Sequence, residues 1–202
     1  MSLDDVALLL VDLQNDFLAP DGAYGRAGLG SPELAALPDR VAAVLALARG
    51  HGVPVVSAQF TLVAVGGRPP IIAPHLSALR PFLGAGDFAP GERGHALVDA
   101  LGTPDVVVEK VAFSAFHQSR LDWVLRGLGA QRLIVAGIVT NGGVASTLRD
   151  AQVRGYAATL LSDGCAAFDP DVHAATLLSL SAVAASARCA DADALLASLA
   201  RS

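Results

Sequence analysis

Polar side chains and glycines follow the apolar runs of this sequence, at the points where the runs end. Asp12 comes directly after the first run, Gln59 ends the second, and Lys110 follows the third. A glycine-rich turn from Gly137 to Gly143 follows the fourth run. If these runs are strands of one parallel sheet, the groups meet at its carboxyl edge, which is where open α/β sheets bind ligands.

The pair Asp12 and Lys110 has the chemistry of a proton-transfer site. Burial at a strand end raises the pKa of a carboxyl group, and a nearby ammonium group lowers it again. Such a pair can act as a general acid or base. The backbone amides of Val139 to Gly143, at a predicted helix N-terminus, could hold a developing negative charge. A structural ion pair is the alternative, but the adjacent glycine-rich turn favours function.

The elements that position these residues alternate between short β-rich runs and longer helical segments. Strands are predicted at residues 6–11, 54–59, 106–109, 133–136, 157–161 and, more weakly, 183–187. Helices are predicted at 31–50, 119–126, 141–154, 169–181 and 191–199. This alternation predicts one α/β domain, residues 1–202, with a parallel sheet covered by helices on both faces. Residues 60–94, rich in Gly and Pro, are expected to cover the site.

The composition excludes several classes of protein. The chain has 202 residues, 53% of them hydrophobic and 16% charged, which argues against disorder. The net charge is −5 with no basic stripe, so no nucleic-acid partner is expected. No apolar run reaches the roughly 18 residues of a membrane span. We therefore expect no membrane association. The two cysteines, Cys165 and Cys189, show no disulfide or zinc-type spacing, so a reducing cytoplasm is the expected location.

Four segments, in order, resemble motifs of the isochorismatase-like hydrolase, or cysteine hydrolase, superfamily. They are LVDLQNDF at 10–17, EKVAFSAF at 109–116, the stretch from 137 to 151, and SDGCA at 162–166. The resemblance implies a Rossmann-like three-layer α/β/α fold with a six-stranded parallel sheet. It also implies a small-molecule substrate, a homodimer or homotetramer, and a cis peptide before Val139.

The sequence departs from the amidases of that superfamily at one position. Their triad of Asp, Lys and Cys forms a thioester, and the resemblance matches Asp12 and Lys110 to its first two members. The cysteine position falls on Gly143, which has no nucleophile, so thioester chemistry at this position is excluded. Ser146, Thr140 and Cys165 are considered as substitutes, but their types and positions favour structural roles.

The resemblance to isochorismatases proper suggests another chemistry. Those enzymes also carry glycine there, and they cleave a vinyl ether by protonating the enol carbon before water attacks. Gly143 is therefore compatible with Asp12 as a general acid. Gln59 and Arg68 resemble their glutamine and substrate-binding arginine, which are likewise nine positions apart.

Four more residues, drawn from the matching motifs, are expected to contact the substrate: Phe17, Phe116, Val139 and Gly142. Val139 and Asn141 also depart from isochorismatases, which have tyrosine and histidine at the corresponding positions.

Three hypotheses follow for the function. The first is a hydrolase of a small, anionic metabolite, an enol ether such as isochorismate, acting through Asp12 without a cysteine. The second is an amide or C–N hydrolase with a displaced nucleophile, and the third is a catalytically silent ligand-binding protein. No cofactor or metal is expected, because the Asp-x-His segment of related nicotinamidases reads Gln59-Phe60-Thr61 here.

Overall fold

A computed structural model of the chain describes residues 2–63, 68 and 70–201. The strands are β1 Val6–Val11, β2 Val55–Phe60, β3 Val106–Lys110, β4 Arg132–Ile138, β5 Ala157–Ala166 and β6 Ala185–Ala187. The helices are α1 Asn15–Leu18, α2 Ala23–Arg26, α3 Pro32–Ala35, α4 Leu37–Gly50, α5 Pro74–Leu79, α6 Leu121–Gly127, α7 Ala145–Val153, α8 Pro170–Leu180 and α9 Ala192–Leu199. A π-helical turn, Thr140–Val144, precedes α7.

The six strands form one sheet in the order β3-β2-β1-β4-β5-β6, and every neighbouring pair is parallel. The predicted three-layer α/β/α fold with a six-stranded parallel sheet is confirmed. The chain runs outward from β1 through β2 to β3, then returns to β4 on the other side of β1. The carboxyl ends of β1 and β4 therefore flank the switch point at which such sheets bind ligands.

β1 shows why the first apolar run is continuous. Its alternate residues Val6, Leu8 and Leu10 pack in the core that contains α4 and α9. Ala7, Leu9 and Val11 pack in the opposite core, with α6 and α7. Because successive strand residues point to opposite faces and helices cover both, apolar residues are favoured at every position of this strand.

Several element boundaries differ from the prediction. β5 continues to Ala166 instead of ending at residue 161, with a register shift against β4 between Val135 and Gly137. The helix predicted from residue 31 is divided into α3 and α4, and each part has a proline in its first turn. The irregular stretch 60–94 contains α5, while residues 64–67 and 69 lie outside the described part of the chain. No helix in the described part has both the length and the apolarity of a membrane span.

Gly137 allows β1 and β4 to approach closely, and its replacement should destabilise the fold. Its φ is +148°, and an added Cβ would lie 2.2 Å from the carbonyl oxygen of Val11. We expect Gly137→Ala to lower the free energy of unfolding by about 3 kcal/mol, because the neighbouring backbone cannot yield easily. The control Gly155→Ala also has positive φ but open space around it, so about 1 kcal/mol is expected. Urea denaturation would measure the free energy of unfolding of both variants, and equal losses in the two would contradict this explanation.

Candidate active site

Asp12 lies at the switch point, immediately after β1, in an unusual backbone conformation. Its φ is +58°, and its backbone N–H donates to the carbonyl oxygen of Ala58 at 2.9 Å. Positive φ is uncommon for residues other than glycine and is best tolerated by Asp and Asn. Such an outlier at a strand end suggests a functional constraint on the side chain.

Asp12 and Lys110 form a buried ion pair, as the strand-end positions predicted. Lys110 Nζ lies 2.8 Å from Asp12 Oδ2, and the two side chains are only 2% and 6% exposed. Asp12 Oδ1 accepts a hydrogen bond from the backbone N–H of Phe60 at 3.1 Å. Lys110 Nζ also donates to the carbonyl oxygen of Ala112 at 2.9 Å. The charges therefore compensate each other in a place that water scarcely reaches.

Burial raises the pKa of the Asp12 carboxyl group above its ordinary value. The Lys110 ammonium and the Phe60 N–H oppose this effect, because both stabilise the ionised carboxylate. A carboxyl group with a raised pKa holds its proton closer to neutral pH and can deliver it to a substrate. The pair thus has the electrostatics of a proton donor whose conjugate base is stabilised.

The glycine turn comes directly against this carboxylate. The peptide bond between Ile138 and Val139 is cis, as the family resemblance implied. A Cβ at Gly143 would lie 2.8 Å from Asp12 Oδ2 and 3.2 Å from the carbonyl oxygen of Ile138. The backbone N–H of Gly142 donates to the carbonyl oxygen of Val139 at 2.9 Å. Its amide is therefore already engaged, which corrects the expectation that it would be available to stabilise an anion.

One cavity opens onto the pair, and a second, wider cavity shares part of its lining. The inner chamber, about 30 Å³, is lined by Asp12, Phe17, Tyr24, Phe60, Leu76, Arg80, Lys110, Ala112, Phe113, Val139, Gly143 and Phe168. The outer chamber, about 420 Å³, adds Asn141, Gly142, Ser146 and Asp169 to Tyr24, Arg80, Phe113, Val139 and Phe168, among others. The inner volume suits about one water molecule or a small reacting group. The remainder of a substrate would then occupy the outer chamber.

Aromatic rings form much of the wall between the pair and solvent. The rings of Phe17 and Tyr24 have centroids 4.8 Å apart, and Tyr24 stacks on Phe168 at 5.2 Å. Buried Asp16 fixes this wall, since its carboxylate accepts from the backbone N–H groups of Ala23 at 3.0 Å and Phe88 at 2.6 Å. The low-polarity wall strengthens electrostatic interactions inside the chamber.

Arg80, which the sequence did not single out, lies where the two chambers meet. It follows α5 directly, and its Nε donates to the Tyr24 hydroxyl. Its guanidinium carbon lies 5.9 Å from the centroid of the Phe113 ring. Its Nη1 is buried and has no hydrogen-bond partner among the residues that the structure describes. The only sequence signal for Arg80 was its place within residues 60–94, a property that it shares with Arg68.

Three predicted substrate-binding residues lie away from both chambers. Gln59 lines a separate groove with His95 and Glu109, because the alternation along β2 turns Phe60 instead toward Asp12. Arg68 is exposed and lines neither chamber.

Phe116 is the third of these residues. It is buried in the core with α6 and α7, and its ring centroid lies 5.8 Å from that of Tyr156. Phe113 faces the site in its place. Of the other predicted residues, Phe17 and Val139 line the inner chamber, and Gly142 lines the outer one.

The candidate replacement nucleophiles do not reach the inner chamber. Cys165 is buried in the sheet, where desolvation raises the pKa of its thiol far above the ordinary value. Thr140 Oγ1 pairs with Nδ1 of His173 at 2.8 Å, and Ser146 lines only the outer chamber. Among the described residues, no three of His, Cys, Asp and Glu are grouped as metal ligands would be.

Comparisons with known proteins agree with this architecture. A model of the isochorismatase domain matches residues 6–192. Ureidoacrylate amidohydrolase RutB of Methylobacterium radiotolerans is 34% identical over 186 residues, covering 86% of this chain and 72% of that protein. A cysteine hydrolase from Pseudomonas syringae pv. phaseolicola has a TM-score of 0.81 at 25% identity, covering 98% of this chain and 95% of the other.

A second solved structure belongs to N-carbamoylsarcosine amidase from Thermoplasma acidophilum. Its TM-score is 0.69 at 25% identity, and the match covers 94% of this chain and 97% of that one. The domain match spans most of the sequence, and the ureidoacrylate amidohydrolase exceeds 30% identity over most of both chains. The chain therefore belongs to the isochorismatase family and is an isochorismatase-like hydrolase.

Proposed function

We propose that the protein hydrolyses a small anionic metabolite through proton transfer by Asp12, without a covalent intermediate. One observation carries this proposal: the Asp12–Lys110 pair, joined at 2.8 Å, faces a chamber with no cysteine, serine or threonine among its described lining residues. The chamber offers an acid and room for about one water molecule, which are the requirements of direct hydrolysis.

An enol ether, such as isochorismate, is the substrate type that this arrangement serves best. The protonated Asp12 carboxyl group would give its proton to the terminal carbon of the vinyl group, leaving an oxocarbenium ion. Water would then add to that cation and return a proton to the Asp12 carboxylate, and the resulting hemiketal would break its C–O bond to give a ketone and an alcohol. The Lys110 ammonium, 2.8 Å away, would stabilise the carboxylate that Asp12 becomes.

Amide or C–N hydrolysis is the second candidate, and the sequence relatives favour it. Proteins similar in sequence include ureidoacrylate amidohydrolases, and a structural neighbour is an N-carbamoylsarcosine amidase. With no cysteine in the inner chamber, Asp12 would have to act as a general base on water. The two candidates therefore require opposite protonation states of Asp12 in the resting enzyme.

Isotope labelling distinguishes the candidates. The purified enzyme would be incubated with isochorismate and, separately, with ureidoacrylate in deuterated water, and the products analysed by NMR. Enol ether hydrolysis must place one deuterium on the carbon next to the new carbonyl group. C–N hydrolysis of ureidoacrylate is recognised instead by the release of ammonia, because its enamine product takes up deuterium from water without the enzyme. Intact-protein mass spectrometry during turnover should show no adduct. A substrate-derived mass increase on the protein would contradict the proposal.

Gly143→Ala should impair catalysis specifically. The new Cβ would lie 2.8 Å from Asp12 Oδ2, so the carboxylate would have to move from its bonds to Lys110 and Phe60. We expect kcat to fall by about 10- to 100-fold, because small displacements of catalytic groups are costly. The neighbouring variant Gly142→Ala approaches Val139 and Phe113 but not Asp12, so it should change KM more than kcat. An unchanged kcat in Gly143→Ala would show that the Asp12 position is not critical.

A further inference from the structure

The guanidinium group of Arg80 combines three properties of an anion-binding group. It lies where the inner and outer chambers join, so it can contact a ligand that spans both. It is oriented by the Tyr24 hydroxyl, which accepts from Nε, and by the Phe113 ring beside it. Its Nη1 is buried without a partner among the described residues, although a buried unpaired donor is unfavourable. A ligand oxygen would supply the missing acceptor.

The charges around the inner chamber leave room for one more anion. Lys110 and Arg80 are two cations, and Asp12 is the only acidic residue among the described residues that line this chamber. Asp169 lines the outer chamber, where its carboxylate already accepts from the backbone N–H groups of Asp171 and Val172 at the start of α8. The lining is therefore net positive whether Asp12 is ionised or protonated, and it attracts an anionic group of a ligand.

A carboxylate fits this position better than a larger anion. The inner chamber is only about 30 Å³, and the junction carries the flat rings of Tyr24, Phe113 and Phe168. A planar carboxylate matches the planar fork of an arginine and can lie between such rings. A phosphate holds its acceptor oxygens in a tetrahedral arrangement, so it does not match the flat walls of the junction.

We propose that Arg80 binds a carboxylate of the substrate at the junction, so that the enzyme selects substrates in which a carboxylate lies next to the bond that is broken. This assignment rests on the proposed function for the reacting bond, but the binding of the carboxylate does not depend on turnover. Arg80 would be a specificity-determining residue, and its loss would raise KM more than it lowers kcat.

The test compares two probes that differ in charge and little in shape, benzoate and benzamide. Their dissociation constants would be measured by calorimetry or NMR titration with the wild-type protein, Arg80→Met, Arg80→Lys and the control Arg126→Gln. Arg126 lies on α6, where it pairs with Asp122, and it lines neither chamber. We expect the wild-type protein to bind benzoate about 10- to 100-fold more tightly than benzamide.

Arg80→Met should remove this preference by weakening the binding of benzoate alone. Arg80→Lys should retain part of the preference, since lysine keeps the positive charge but not the planar fork of arginine. Arg126→Gln should behave like the wild-type protein. Equal affinities for the two probes, no binding of either to the wild-type protein, or undiminished benzoate binding by Arg80→Met would overturn the assignment. Thermal melting identifies a misfolded Arg80→Met, in which case Arg80→Lys decides.

Asp12→Asn separates this inference from the proposed function. It should keep the benzoate preference, because Arg80 is intact, while losing turnover. Full turnover in Asp12→Asn with the benzoate preference intact would defeat the proposed function and leave the Arg80 assignment standing. Lost turnover in Asp12→Asn, with no benzoate preference in any of the proteins, would defeat the Arg80 assignment and leave the proposed function standing.

Discussion

Asp12→Asn is expected to lower kcat by about 10²- to 10⁴-fold, the usual contribution of a general acid or base. Asparagine has nearly the same shape and can still accept from the Phe60 N–H, as Asp12 Oδ1 does at 3.1 Å. It cannot release a proton to a substrate. Since the side chain is buried beside the inner chamber, no exposed carboxylate can take its place from solvent.

The pH dependence of the wild-type enzyme shows which role Asp12 has. Burial raises the pKa of its carboxyl group, so a general acid should lose kcat/KM as pH rises through that value. A general base, as amide hydrolysis requires, should gain activity over the same interval. Stopped assays across the pH range would record the profile, and Asp12→Asn should abolish the change in activity that follows the ionisation of Asp12. Asp21→Asn, at an exposed carboxylate, serves as the control and should retain the wild-type profile.

Lys110→Met is expected to lower the free energy of unfolding by about 3–5 kcal/mol at neutral pH, because it leaves the buried Asp12 carboxylate without its cation. Methionine fills much of the volume of the lysine side chain, so the loss of stability comes from the missing charge more than from changed packing. The double variant Asp12→Asn/Lys110→Met removes both charges and should recover most of that stability. Urea denaturation of the four proteins gives the coupling energy directly. Additive losses would show that the two side chains are not coupled.

The stability of Lys110→Met should also depend on pH in a defined direction. The pKa of Asp12 is raised above its ordinary value of 3.8 in the folded protein, and removal of Lys110 raises it further. In the interval between the unfolded and folded values, the native state holds a proton that the unfolded state has lost. Stability is therefore fully present below 3.8 and is lost as pH rises through the folded value. Lys110→Met should then be closer to wild-type stability at pH 5 than at pH 8.

The sheet and the position of the ion pair could be predicted because both depend on local pattern. The six residues of β1 are apolar because helices cover both faces of the strand, so the first strand and its end at Asp12 are visible in the sequence. Lys110 ends β3, and parallel strands bring their carboxyl ends to one edge. The meeting of the two side chains followed from these two facts.

The identity of the other residues around the pair depended on tertiary structure. Along β2, a difference of one residue selects the opposite face, which is why Phe60 and not Gln59 faces Asp12. In the loop after β3, Phe113 enters the chamber while Phe116 packs in the core.

Arg80 shows most clearly which part of the site could not be predicted from the sequence. Nothing in its local sequence distinguishes it from Arg68, and its place beside the site follows from bonds to Tyr24 and packing near Phe113, which are distant in the chain. The sequence by itself determined the strands and the charges at their ends, because periodicity and strand direction are local properties. Only the tertiary structure decided which loop side chains complete the chamber, because contacts between distant segments fix where a loop lies.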